Sequence, residues 1–219
     1  MPSDFPIKQF SNVYWDVDKK KNSCQGIWGQ YRDAWKAVAF RFLSCAGHDV
    51  AYTQSVVKYT NSPSDMKERY NQEHHLFAFF FSGLAALESL HYALFAVGAL
   101  VEPSKFSMAS EADLKSITPS KTARSYSETF PGDMLSNAMD MLVKDATFME
   151  WIDVRNILSH RTAPGRTFHA AAHGEDGGKA TWLHGINIDD RTTSSRRLWL
   201  SKSLSDILQP AETFTRAKF

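Results

Sequence analysis

Apolar residues recur at three- and four-residue steps over most of this chain, a period that predicts helices rather than strands. Over residues 27–46, Ile27, Tyr31, Ala34, Trp35, Val38, Phe42 and Cys45 fall on one helical face, and Gly47 is a plausible stop. A short helical piece over residues 50–59 ends before Asn61-Ser62-Pro63. Ser64 caps the next helix, Asp65 and Glu68 complement its dipole, and Glu102-Pro103 ends it after Val101. Asp133 then opens a helix reaching Arg161, with Leu135, Ala138, Met139, Leu142, Ala146, Met149 and Ile152 turned inward. After Gly165 the period changes. Residues 167–173 and 179–188 flank Gly174-Glu175-Asp176-Gly177-Gly178, which predicts a hairpin, with a third strand at 197–200 and a last helix at 203–216 kinked by Pro210.

Residues 1–25, with Pro2, Pro6 and the run Lys19-Lys20-Lys21, read as an irregular lead-in. Residues 104–132 read as a connecting excursion with a weak helical signal at 111–117. The predicted fold class is mainly α: an antiparallel helical bundle in one domain over residues 1–219. Its core spans 27–161, and a small β-hairpin elaboration at 166–200 follows the motif helix.

Composition narrows the functional classes. Lys and Arg total 25 against 24 for Asp and Glu, so the overall charge argues for neither nucleic acid nor membrane, and a basic site has to be local. Two cysteines are too few for a disulfide framework, and the first residues lack a secretory pattern, so a reducing cytoplasm is expected. Residues 76–101 are apolar and long enough to span a bilayer. Glu88 and His91 sit in their middle, however, where a carboxylate costs roughly 2.5–3.5 kcal/mol, which favours a buried central helix and no membrane association. Its stripe of Ser82, Ala86, Ser89, Ala93 and Ala96 suits close approach of a neighbouring helix.

Candidate chemistry gathers at Trp151-Ile152-Asp153-Val154-Arg155-Asn156-Ile157-Leu158-Ser159-His160-Arg161. A permanently charged guanidinium and an imidazole that titrates near neutrality are what metal-free phosphodiester chemistry requires. Helical geometry places His160 in line with Leu142 and Met149, with Asp153 and Asn156 beside it, so the apolar stripe turns polar at its end. Arg155 lies about 140° around the helix from His160, with Ile152, Asn156 and Ser159 between them. The same residues also suit a structural role, with the arginine in an ion pair and the histidine ending the helix. Glu88, set among Phe81, Leu84, His91, Tyr92 and Phe95, would find a cation if buried, and Arg155 is the candidate. Arg155, Arg161 and Arg166 occur with His160, His169 and His173 while no carboxylate intervenes between Asp153 and Glu175. This makes a local cationic patch that Arg191, Arg196, Arg197 and Lys202 would extend if the tail folds back. His169 and His173 have a spacing compatible with metal, but no glutamate completes a zinc pattern; neither metal nor cofactor is expected.

The run Arg155-Asn156-Ile157-Leu158-Ser159-His160 resembles the signature of the HEPN superfamily (higher eukaryotes and prokaryotes nucleotide-binding), and the helix bearing Glu88 resembles the partner helix of those bundles. The resemblance covers about residues 64–161. It implies a helical bundle that dimerises so that two motifs face one cleft, and in many members a metal-independent ribonuclease. Carried onto this chain, His160 assists proton transfer at the ribose 2′-hydroxyl, Arg155 stabilises the phosphorane-like charge and Asn156 orients the pair, leaving a cyclic phosphate. Ser159, Arg161, Arg166 and Glu88 would complete the substrate-binding surface for RNA or a nucleotide. Thr162 stands where some antitoxin-paired relatives carry a tyrosine, which argues against regulation through that residue. The alternative is a non-catalytic nucleotide-binding or protein-interaction module of the same superfamily.

Overall fold

The computed structural model describes residues 1–22, 24–58, 65–160, 165–169, 179–182 and 185–219; the side chains of His160, Phe168, His169 and Lys179 also lie outside that description. In chain order the elements are α1 (Ile7–Asp18), α2 (Gln25–Lys58), α3 (Met66–Val101), α4 (Glu111–Lys115), α5 (Pro119–Thr129), α6 (Met134–Val143), α7 (Ala146–His160), β1 (Thr167–His169), β2 (Lys179–Trp182), β3 (Ile186–Asn187) and α8 (Ser194–Lys218). The chain is thus mainly α, a helical bundle with a small antiparallel sheet.

Helices α2 and α3 are the spine. Contacts between them run in opposite directions along the two sequences: Arg41 donates to the Ala85 carbonyl and to Ser89 Oγ, Ser44 meets Ser82, His48 meets His75, and Ser55 donates to Glu68. The pair is therefore antiparallel, and the small residues Ser82 and Ser89 lie on its seam as their stripe predicts. Gly47 does not stop α2. It is an exposed position inside a 34-residue helix, and packing against α3 outweighs the roughly 1 kcal/mol that a mid-helix glycine costs.

Asp65, rather than Ser64, caps α3: its carboxylate accepts from the Glu68 amide at 2.8 Å, while Ser64 and the Asn61-Ser62-Pro63 stop lie outside the described residues. At the other end Pro103 follows the last turn, and α3 stops at Val101. By length and composition α3 could cross a membrane, but 72% of its most apolar window is buried inside the protein, so its apolarity serves packing.

Three readings change where distant residues supply the missing partner. The lead-in contains α1, whose Val13 and Val17 are fully buried and whose Asn12 donates to Glu212 of α8 at 2.9 Å. The excursion contains α5, started by the Thr118 cap with Pro119 in the first turn and anchored by Tyr126, whose hydroxyl donates to the Leu94 carbonyl at 2.7 Å. The single helix expected from Asp133 onward is two: α6 ends at Val143, and the Asp145 carboxylate caps α7 by accepting from the amides of Thr147 and Phe148.

Three short strands pair antiparallel in the order β1-β2-β3, with Thr167 opposite Thr181 and Trp182 opposite Ile186. Trp182 and Ile186 point into the core. The predicted turn at Gly174–Gly178 lies outside the described residues. Residues 197–200, read as a strand, belong to α8, which continues past Pro210.

His91 gives the fold a measurable pH response. It is completely buried on α3, and its Nδ1 stands 2.8 Å from the Leu87 carbonyl, which makes Nδ1 the protonated nitrogen of a neutral ring. Burial outweighs that hydrogen bond and lowers its pKa to about 4. In the unfolded chain the ring takes up its proton near pH 6.5. The stabilisation from keeping it neutral is therefore complete above that pH and is lost as pH falls toward 4, about 3 kcal/mol in all. Denaturant unfolding at pH 7 and pH 4.5 is expected to show wild type losing about 2–3 kcal/mol more than His91→Gln. Equal losses would contradict the assignment.

Candidate functional site around α7

Helix α7 is held by Phe148, Trp151 and Val154, all buried, with Ile152 and Leu158 partly buried beside them. Trp151 is the anchor. Its ring packs against Phe79 and Phe80 with centroids 5.4 Å away and against Trp199 of α8 at 5.6 Å, directly over Gly83. With that side fixed, Asp153, Asn156 and Ser159 face solvent. This corrects the polar end expected for the stripe through Leu142 and Met149. The break at Lys144-Asp145 resets the helical phase, so Leu142 is buried while Met149 is 47% exposed.

Arg155 sits one turn beyond Trp151, at the edge of the buried face. Its Nη2 lies 3.4 Å from Glu88 Oε1, the partner the sequence suggests, with roughly a third of each side chain exposed. A closest approach of this length is loose for a guanidinium and a carboxylate, which pair most strongly through two parallel bonds of about 2.7–2.9 Å. The Arg155 Nε is buried and has no hydrogen-bond partner among the described residues. Ser159 Oγ donates back to the Arg155 carbonyl at 2.8 Å. His160 is the last residue of α7; its side chain, and all of Arg161, lie outside the described residues.

Beyond Glu88 opens a cavity of about 490 Å³ between α2, α3 and the segment joining α4 to α5; its polar lining includes Asp33, Arg41, Ser89, Tyr92 and Thr118. Glu88 thus stands between this cavity and Arg155. Arg41 was not singled out from sequence. It is one polar position in an amphipathic helix, and only the approach of α3 gives it a role.

The remaining cations are mostly spoken for. Arg166 is nearly buried, its guanidinium donating to Glu73 at 3.0 Å, Gln72 at 2.7 Å and the Arg69 carbonyl at 3.3 Å, so it fastens the start of β1 to α3 rather than standing ready for substrate. Arg196 pairs with Glu150, Arg197 with Asp4 and Asp49, and Lys202 with Asp206. The extended cationic patch is therefore largely neutralised within the fold. Arg191 is exposed in the turn before α8. His173 and the side chain of His169 lie outside the described residues.

No protein-family model, curated protein or solved structure matches the chain.

Proposed function

We propose that this protein is an RNA-binding protein of HEPN type that cleaves RNA without a metal, with Arg155 and His160 as its reacting pair. The observation that carries the reading is the loosely held guanidinium of Arg155, whose closest approach to Glu88 is 3.4 Å and which makes no hydrogen bond through Nε among the described residues. About a third of the side chain reaches solvent, and a phosphate oxygen arriving there competes with Glu88 for the guanidinium. Asn156 and Ser159, exposed beside it, supply further hydrogen-bonding groups.

In the proposed reaction the ribose 2′-oxygen attacks the adjacent phosphorus and the bond to the 5′-oxygen breaks. His160 assists removal of the 2′-hydroxyl proton, and the departing 5′-oxygen ends protonated. Arg155 stabilises charge on the non-bridging oxygens, Asn156 orients the pair, and the product ends in a 2′,3′-cyclic phosphate. A homodimer bringing two motifs to one cleft, acting in the cytoplasm, completes the proposal. The rival reading, a non-catalytic nucleotide-binding or protein-interaction module, is favoured by the Glu88 contact, which already gives Arg155 a structural partner.

Two strands distinguish them, one all-ribose and one with the 2′-hydroxyls replaced by hydrogen, incubated with the protein and a chelator. The expected result is cleavage of the ribose strand alone, with cyclic phosphate ends. Binding without cleavage supports the module instead, and cleavage of both strands excludes the mechanism.

A further inference from the structure

On the solvent side of the α2–α3 seam, the Nδ1 atoms of His48 and His75 face each other at 3.2 Å. His74 stands beside them, its ring centroid 5.5 Å from that of His75 and 6.2 Å from that of His48. We propose that these three histidines bind a divalent transition-metal ion of the zinc class, with His48 and His75 as the preformed ligands and His74 closing on the ion.

The distance is the main argument. Two nitrogens 3.2 Å apart, each about 2.0–2.1 Å from a zinc ion, subtend about 100° at the metal, close to the tetrahedral angle. As a hydrogen bond between two neutral imidazoles the same contact is at the long end of the range and uses one proton for two lone pairs. Metal binding moves that shared proton to the outer nitrogen of its ring and employs both lone pairs. Neutral imidazoles have those lone pairs to give.

The surroundings select the ion. The seam carboxylate Glu68 accepts from Ser55 Oγ at 2.5 Å, and Ser44 and Ser82 satisfy each other on the opposite side. A site of imidazole nitrogens suits zinc, copper or nickel rather than magnesium or calcium. As they stand, no three His, Cys, Asp or Glu side chains among the described residues are placed to hold a metal ion, so the site is complete only when His74 moves. His74 is exposed, on the rim and stacked at 6.2 Å against the exposed Tyr70, and a change of rotamer is open to it. Water fills the remaining position. From His75 to Glu88 is 13 residues of α3, about 20 Å, so this site is separate from the Arg155 surface and independent of the RNA reading.

Metal-stripped full-length protein titrated with cobalt(II) as a spectroscopic probe, then with zinc by calorimetry, tests the proposal. One ion per chain is expected, with visible bands of four-coordinate cobalt that zinc displaces. His48→Ala and His75→Ala should each weaken binding about 100-fold and His74→Ala about tenfold, while His91→Gln binds like wild type. Circular dichroism confirms that each variant is folded, and His75→Gln serves if His75→Ala is not. Absence of saturable binding at micromolar metal, or equal binding by wild type and both His48→Ala and His75→Ala, would overturn it.

Discussion

Gly83→Ala is expected to cost about 3 kcal/mol or more of stability, although alanine is the better helix former by about 1 kcal/mol. A Cβ at this position would lie 2.0 Å and 2.4 Å from two ring carbons of Trp151, and 3.2 Å from Cys45 Sγ. The ring has nowhere to go, because Trp151 is fully buried and held by Phe79, Phe80 and Trp199. Shifting α7 instead would carry Arg155 away from Glu88. Denaturant unfolding measures the loss. The second variant Trp151→Phe should be less harmful in the Gly83→Ala background than in wild type, because the smaller ring makes room for the methyl group. An unchanged midpoint for Gly83→Ala would show that the close contact is not a constraint.

Arg197→Met is expected to cost about 3–5 kcal/mol. Asp49 is buried on α2, where its two oxygens accept from Thr193 Oγ1 at 2.6 Å and Arg197 Nη1 at 2.7 Å, and Arg197 also reaches Asp4 through Nε at 2.9 Å. One arginine therefore ties the N-terminal residues, α2 and α8 together. Removing it leaves a buried carboxylate without its counter-charge, which is the costly half of breaking such a pair. The double variant Asp49→Leu/Arg197→Met removes both charges and should recover much of the loss. If the double variant is as unstable as the sum of the two single ones, the pairing is not what stabilises this corner.

Asp49 and Arg197 also show where sequence reading stops. They are 148 positions apart. Nothing local to Arg197 marks it as one half of a buried pair, so it reads as part of a cationic tail and of a strand. Helix α3 is the opposite case, because its proline at 103 and its unbroken apolar run are local, and only its cap moved by one residue, from Ser64 to Asp65. The length of α2 was hidden by Gly47, whose intrinsic cost is small beside the packing of α3. The α6–α7 boundary was hidden because Lys144-Asp145 interrupts neither the composition nor the apolar period, yet it rotates every later side chain and turns Asn156 to solvent. At the candidate site the Arg155–Glu88 contact was legible, since a carboxylate among aromatic rings needs a cation. The engagement of Arg166 and Arg196 was not, because their partners lie on other elements. Tandem His74-His75 was not singled out from sequence, because its meaning depends on His48 arriving from α2.

The central claim is that Arg155 and His160 act together on a phosphodiester. Its most direct test is the cleavage rate of single-stranded RNA, in chelator, by wild type, Arg155→Ala and His160→Ala, each shown to be folded. Wild type should leave cyclic phosphate ends, and either variant should lose about 100-fold or more in rate. Equal residual cleavage by all three proteins would contradict it.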